Sequence, residues 1–291
     1  MKTAVIGIGA MGLDIAGHIK AACHDVIGFD IDGERLREAA AAGIATASSL
    51  GIAVDGAEVA LVVVATDAQS LTVTREILAA GAPGTVIAVL ATNRVETMRT
   101  LAADAAGAGF GFVDAPVVFG REGARTGTLV SLCGGSHDDV ERIEPVLQAY
   151  SRAVHHVGPV GAGQLAKTCN NMMHWAACVA NYETLLLAKR YGIDAQRMRE
   201  ILLDCPARNT TLERWDTTRF TWHEKDMDIA LDLAQAGGLA LPLFGQVDQL
   251  VKRLGPDRVK DLLYGPEAEY LGLRVEPLSP GKGGLGNKEP E

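Results

Sequence analysis

Lys167, Asn171, His174 and Cys178 follow one another at spacings of four, three and four residues, which on a helix places them on one face. A lysine withdrawn from water has its pKa lowered towards neutrality, where it can take and return protons. An asparagine one turn further on can hydrogen-bond the oxygen of a reacting carbon without carrying charge itself. Leu165, Met172, Met173, Ala176, Val179 and Ala180 make the rest of the segment apolar, so the expected helix is mostly buried with one polar stripe. Taken alone, the same residues also fit an exposed lysine with capping asparagines. His174 fits a pocket wall and a helix-packing residue equally well, and Cys169 and Cys178 fit packing thiols better than nucleophiles.

A second group lies at the start of the chain. Thr3–Ile19 runs as an apolar strand, then Gly7-Ile8-Gly9-Ala10-Met11-Gly12, then a helical pattern. In such a G-x-G-x-x-G turn the first glycine makes a tight turn and the second lets the backbone approach a pyrophosphate. The third permits close packing of helix on strand. The helix N-terminus then offers free N–H groups to the phosphates. Asp30 closes the next predicted strand, where a carboxylate can accept from both ribose hydroxyls of NAD and would repel the 2′-phosphate of NADP. Ile31, Asp32 and Gly33 follow it rather than an arginine, which favours NAD. The plainer reading is that Asp30 opens a turn with Asp32.

These groups need a scaffold. Apolar runs at Thr3–Gly7, Asp25–Asp30, Val59–Val64, Thr85–Val89 and Gly111–Ala115 alternate with amphipathic segments such as Glu34–Ala42 and Ser70–Ala80. That alternation predicts a parallel α/β sheet, with a further strand pair near Leu129–Gly134 and His155–Val157. From Gly163 strand signals cease, and a helix is expected over about Gln164–Tyr191, followed by others to about Leu263. The expected fold is α/β: an N-terminal doubly wound Rossmann sheet (1–161), then an all-helical domain (162–277) joined by the long helix. Residues 278–291, rich in Gly, Pro and Lys, are expected to form a disordered tail.

Composition removes several classes of function. A net charge of −9 without a Lys/Arg cluster argues against a nucleic-acid surface. Five scattered cysteines with no C-x-x-C spacing suggest reduced thiols rather than disulfides or a zinc site. His155 and His156 point opposite ways in a strand and lack a third ligand, so no metal is expected. No apolar run has membrane-spanning length, and the glycines and Asp14 within Thr3–Ile19 count against a signal peptide. A cytoplasmic protein is expected.

Four ordered blocks together resemble the β-hydroxyacid dehydrogenase family, which includes 3-hydroxyisobutyrate dehydrogenases, over roughly residues 1–272. They are Gly7–Gly12, Asp114–Leu129, the G-x-G-x-x-x-K-x-x-N-N run Gly161–Asn171, and Lys225-Asp226 within Phe220–Leu233. The resemblance implies an NAD-dependent oxidoreductase with Lys167 as general acid/base and Asn171 holding the substrate. Lys225 would close over the cofactor, and Thr92 would lie near the nicotinamide ribose. Ala10, Met11 and Thr66 complete the expected cofactor set. A homodimer or homotetramer with packed helical domains is implied. The sequence departs from the family where Val-Ser-Gly-Gly usually binds the substrate carboxylate: here Val117-Val118-Phe119-Gly120 stands, followed by Arg121. Either the substrate has a bulkier or more apolar end, or Val118 and Phe119 pack under the loop; Gly120 backbone and Arg121 remain for an anion. A reductase of aldehyde acids or imines is the alternative enzyme, and a nucleotide-binding protein without turnover the alternative class. The intact Lys167 disfavours the imine and non-catalytic readings.

Overall fold

The computed structural model describes residues 1–279 and 284–285. The chain divides into two compact units, Met1–Lys167 and Thr168–Glu291, and the division falls inside the long helix rather than at the glycine-rich joint before it. In the first unit, β1 (Lys2–Ile6), α1 (Ala10–Ala21), β2 (Asp25–Phe29), α2 (Gly33–Ala41) and β3 (Ala45–Thr46) come first. Then follow α3 (Leu50–Val54), β4 (Val59–Val62), α4 (Asp67–Ala80), β5 (Val86–Val89), α5 (Val95–Gly107) and β6 (Gly111–Asp114). The unit continues with β7 (Val117–Val118), α6 (Gly120–Thr126), β8 (Leu129–Gly134), α7 (His137–Gln148) and β9 (Ser151–Gly158).

The strands form one sheet in the order β3-β2-β1-β4-β5-β6-β8-β7, with β9 beside β8. Pairing is parallel from β3 through to β6, while β8 runs antiparallel to β6 and β7. The chain builds outward from β1 to β3, then returns to place β4 on the other side of β1. This is the switch point at which open α/β sheets bind ligands beyond their carboxyl ends. Every residue of β4 and β5 is buried, because helices cover both faces. Val5, Leu61 and Ala88 belong to one core cluster with Ile15 and Ile19 of α1. Their alternate neighbours Ile6, Val62 and Val89 belong to the other, with Ile77 of α4 and Leu101 of α5.

The five expected first-half strands are all present. They stop short of Gly7, Asp30 and Ala115, which instead begin the loops at the carboxyl edge. The two-residue strands β3 and β7 are too short to show an alternating pattern.

α8 (Ala162–Arg190) continues from the first unit into the second, where α9 (Ala195–Leu203), α10 (Thr210–Glu213), a 3-10 turn (Trp215–Thr217), α11 (His223–Ala236), α12 (Pro242–Val251) and α13 (Pro256–Tyr264) follow. Trp175, Tyr182, Trp215 and Leu262 anchor its core. The buried Arg199 guanidinium donates to Leu212 O at 2.9 Å, Glu213 O at 2.8 Å and Asp216 Oδ1 at 3.0 Å, tying α10 and the turn after it to α9. No helix among the described residues is long and apolar enough to cross a membrane.

Two expectations are corrected here. The second unit is not wholly helical: β10 (Ala268–Tyr270) and β11 (Leu273–Val275) form a hairpin, each strand too short to stand out as a period-two run. Nor is α8 mostly buried, since Leu165 (51%), Met173 (72%) and Leu187 (61%) are exposed. Of the expected tail 278–291, residues 280–283 and 286–291 lie outside the described residues. Leu278 and Leu285 donate their backbone N–H groups to Arg190 O and Tyr191 O.

Candidate active site

The glycine turn between β1 and α1 has the three-part division of labour its spacing suggests. Gly7 has φ +98°, and a Cβ there would stand 2.2 Å from Val63 O. A Cβ at Gly12 would stand 1.9 Å from Gly7 O, so α1 can approach the strand only without a side chain. At Gly9 a Cβ would meet nothing within 4 Å. Packing therefore accounts for the first and third glycines, while the second borders open space at the N-cap of α1. That cap has no side-chain hydrogen bond and no acidic residue in the first turn. An anion thus finds uncapped N–H groups, a favourable helix dipole and no carboxylate within the helix's first turn. The turn fits the pyrophosphate of a dinucleotide. Ala10 is exposed beside it, and Met11 packs on the first core cluster.

Asp30 lies just past β2, where its Oδ2 accepts from Ile8 N at 2.9 Å and its Oδ1 from Asp32 N at 3.0 Å. The turn with Asp32 is real, yet it is not the whole role. The bond to Ile8 ties the carboxylate to the glycine turn itself. A carboxylate has about four lone-pair sites, so acceptors remain for ribose hydroxyls. Thr66 caps α4, its hydroxyl accepting from Gln69 N at 3.2 Å. Thr92 lies half-buried in the loop after β5, between the buried Ala91 and Asn93.

Lys167 is the last residue of the first unit. Its Nζ donates to Val117 O at 2.9 Å, on the segment leaving β6, so the amine stands at the same carboxyl edge as the glycine turn. Asp114, at the end of β6, holds the start of α8. Its Oδ1 accepts from Gly161 N at 2.6 Å and its Oδ2 from Gln164 N at 2.8 Å. Burial pushes the Asp114 carboxyl up to about 7, against the downward pull of these N–H bonds. Gly163 is required here, because a Cβ would stand 2.3 Å from Leu132 O.

Asn171 follows one turn beyond Lys167 on α8, in the second unit. Its Oδ1 accepts from Asn170 Nδ2 at 3.1 Å, which leaves its own Nδ2 to donate. His174 has Nδ1 3.1 Å from Thr211 Oγ1 and Nε2 3.9 Å from Cys178 Sγ, so both ring nitrogens are engaged. Cys178 is buried, and its thiol is pushed up to about 12, whereas Cys169 is exposed. Lys225, in the first turn of α11, sits 5.9 Å above the Trp222 ring. The next residue, Asp226, is buried and accepts from Trp175 Nε1 at 3.0 Å.

At the loop that departs from the family pattern, Phe119 has φ +81°, in the left-handed region that costs an ordinary side chain about 1–2 kcal/mol. Its ring packs on the first core cluster and lies 4.6 Å below the Arg152 guanidinium, while a Cβ at Gly123 would meet Phe119 Cβ at 2.7 Å. The ring therefore packs beneath the loop. Val118 is half-buried, and Gly120 and Arg121 are exposed. Because both substitutions remove the ring but only one relieves the backbone, Phe119→Gly should be more stable than Phe119→Ala. The expected gap is about 1 kcal/mol, read from urea midpoints; equal midpoints would mean the left-handed backbone carries no strain.

The sequence passed over Gln164 and Asn93. Both are fully buried; the Gln164 amide accepts from Asn93 N and donates to Ala91 O, while Asn93 Nδ2 donates to Ser70 Oγ. The only available signal was Gln164 lying three residues before Lys167, and a lone glutamine usually reads as surface.

A switch-point sheet with this glycine turn and a carboxylate at the end of its second strand defines a dinucleotide-binding protein. Residues 2–158 match the family described as the NAD binding domain of 6-phosphogluconate dehydrogenase. Residues 161–262 match the one described as NAD-binding of NADP-dependent 3-hydroxyisobutyrate dehydrogenase. A probable 3-hydroxyisobutyrate dehydrogenase of Mycobacterium tuberculosis is 30% identical over 94% of this chain and 98% of its own. An NAD-dependent L-serine dehydrogenase of Pseudomonas aeruginosa is 32% identical over 73% of this chain and 72% of its own. Among solved structures, M. tuberculosis 3-hydroxyisobutyrate dehydrogenase with L-serine aligns at a TM-score of 0.79 and 29% identity, covering 87% of this chain and 93% of that one. The chain belongs to the β-hydroxyacid dehydrogenase family of NAD-binding oxidoreductases.

Proposed function

We propose that this protein is an NAD-dependent dehydrogenase that interconverts a β-hydroxy acid, or a related alcohol with a bulkier or more apolar end, and its aldehyde or ketone. One observation carries the reading: a lysine amine, Lys167 Nζ, is held 2.9 Å from Val117 O, at the sheet edge that also presents the glycine turn. Bound NAD would supply the hydride chemistry. The chain's own residues supply position and protons.

In oxidation, neutral Lys167 accepts the substrate hydroxyl proton. Its amine can keep an N–H bond to Val117 O while its lone pair faces the substrate. In reduction, the ammonium returns that proton to the same oxygen. By the family resemblance, Asn171 Nδ2, one helical turn beyond Lys167, would donate to this oxygen, and Lys225 would cover the cofactor. Asp30 accepts from the ribose hydroxyls, which favours NAD over NADP. At the far end of the substrate, Val118 removes the hydroxyl that would hold a carboxylate. That leaves backbone near Gly120 and the exposed Arg121 to meet an anion and, with the Phe119 ring packed beneath the loop, the half-buried Val118 alone as an apolar wall. His174, engaged at both nitrogens, lies further along the same helix as a wall residue.

The test is absorbance at the reduced-nicotinamide band, with NAD or NADP and a panel of β-hydroxy acids and bulkier alcohols. The expected result is reduction of NAD in preference to NADP, fastest with a substrate carrying an apolar end. Fastest turnover of the smallest 3-hydroxy acids would remove the bulky-end reading. No turnover of any alcohol by NAD-binding protein would remove the dehydrogenase reading.

A further inference from the structure

Gln164 lies on α8 three residues before Lys167, so the two share a helix face. Its side chain is fully buried. Its amide makes two bonds of opposite sense to the main chain on either side of Thr92. Nε2 donates to Ala91 O at 2.8 Å, and Oε1 accepts from Asn93 N at 2.9 Å. A carbonyl and an N–H two residues apart are what an adjacent strand would pair with. Gln164 thus takes the place of a strand along this loop, with Thr92 between its two grips. Beyond the loop, Asn93 Nδ2 donates to the buried Ser70 Oγ at 2.7 Å. At the helix end, the Gln164 backbone N–H is held by Asp114, three residues before the carbonyl that receives Lys167.

We propose that Gln164 is a positioning residue that sets the Lys167 amine against the Thr92 loop, and so against the nicotinamide ribose that the dehydrogenase reading puts at Thr92. The proposal rests on that reading. An amide suits the position because it offers a donor and an acceptor side by side and carries no charge at any pH. A buried glutamate would set a second oxygen against Ala91 O. Asp114 fixes only the start of the helix. Gln164 fixes its rotation relative to the loop.

The test uses Gln164→Met, which keeps the side-chain volume and removes both bonds, and Ser70→Ala, which removes only the outermost bond. The readouts are thermal unfolding, NAD affinity by fluorescence, kcat and KM, and the NMR signal of ¹³C-methylated Lys167 in the protein without cofactor. A Lys167→Arg sample assigns that signal. In folded Gln164→Met, kcat should fall about 10- to 100-fold, the scale of an ångström's misplacement, while KM and NAD affinity hold and the Lys167 signal moves. Ser70→Ala should show the same changes at smaller size. Either kcat or the Lys167 signal remaining at its wild-type value in folded Gln164→Met overturns the proposal. If that variant does not fold, an unmoved Lys167 signal in Ser70→Ala overturns it and a moved one supports it. A wild-type protein without dehydrogenase activity removes the functional reading instead, and the Lys167 signal alone then decides whether Gln164 positions the amine.

Discussion

Lys167→Ala is expected to lower kcat by about 10²- to 10⁴-fold, the range for losing a positioned proton-transfer group. NAD affinity and melting temperature should barely move. The lysine makes its bond to Val117 O from a half-buried position, and alanine is the best helix former available at that site. The groups that would hold the cofactor are the glycine turn and Asp30 rather than the amine. Lys167→Arg should be nearly as inactive, because a guanidinium keeps the charge but does not surrender its proton near neutral pH. Steady-state kinetics beside a fluorescence titration of NAD separates the two effects. An alanine variant within tenfold of wild-type kcat would take the proton transfer away from Lys167.

The second large effect separates two glycines of one turn. Gly12→Ala places a Cβ 1.9 Å from Gly7 O and 3.0 Å from Gly7 C, both main-chain atoms that cannot swing aside. Helix α1 must lift from the sheet, at a cost of about 1–3 kcal/mol or more, and NAD binding should be lost together with several degrees of melting temperature. Gly9→Ala adds a methyl where nothing lies within 4 Å, at an ordinary φ of −66°. Its melting temperature should stay close to that of wild type. Its NAD affinity should still fall by about tenfold or more, since the added methyl occupies the approach of the pyrophosphate. Thermal melts and NAD titrations of the two variants distinguish these outcomes. Undiminished NAD binding by Gly9→Ala would mean that the pyrophosphate lies elsewhere.

Much of this was legible in the residues themselves. Strands such as Val59–Val62 and Val86–Val89 are uniformly apolar and bounded by turns, so the parallel sheet could be read directly. The glycine turn was legible because each glycine answers a separate steric demand. Other features depend on what a side chain meets after folding, which spacing does not encode. Phe119 stands where the resemblance implies a glycine, and its ring meets the first core cluster and Arg152, which lie apart from it in sequence. The exposure of Leu165, Met173 and Leu187 was illegible for a related reason, since an apolar stripe does not say which surface covers it. Gln164 was missed because its partners, Ala91 and Asn93, lie more than 70 residues away. Nor does its type announce burial, as glutamine is mostly found at surfaces.

The Gln164 grip also bears on how this stretch of chain can change in length. An α-helix turns by about 100° per residue. Inserting or deleting one residue between Gln164 and Lys167 would therefore swing the amine about a quarter turn away from Val117 while the glutamine stayed on its loop. Substitutions at Leu165 and Ala166 can vary with the surroundings, but the count of residues cannot. Length polymorphism among descendants of this chain should gather in the loops after Arg190 and be absent from the four residues Gln164 to Lys167.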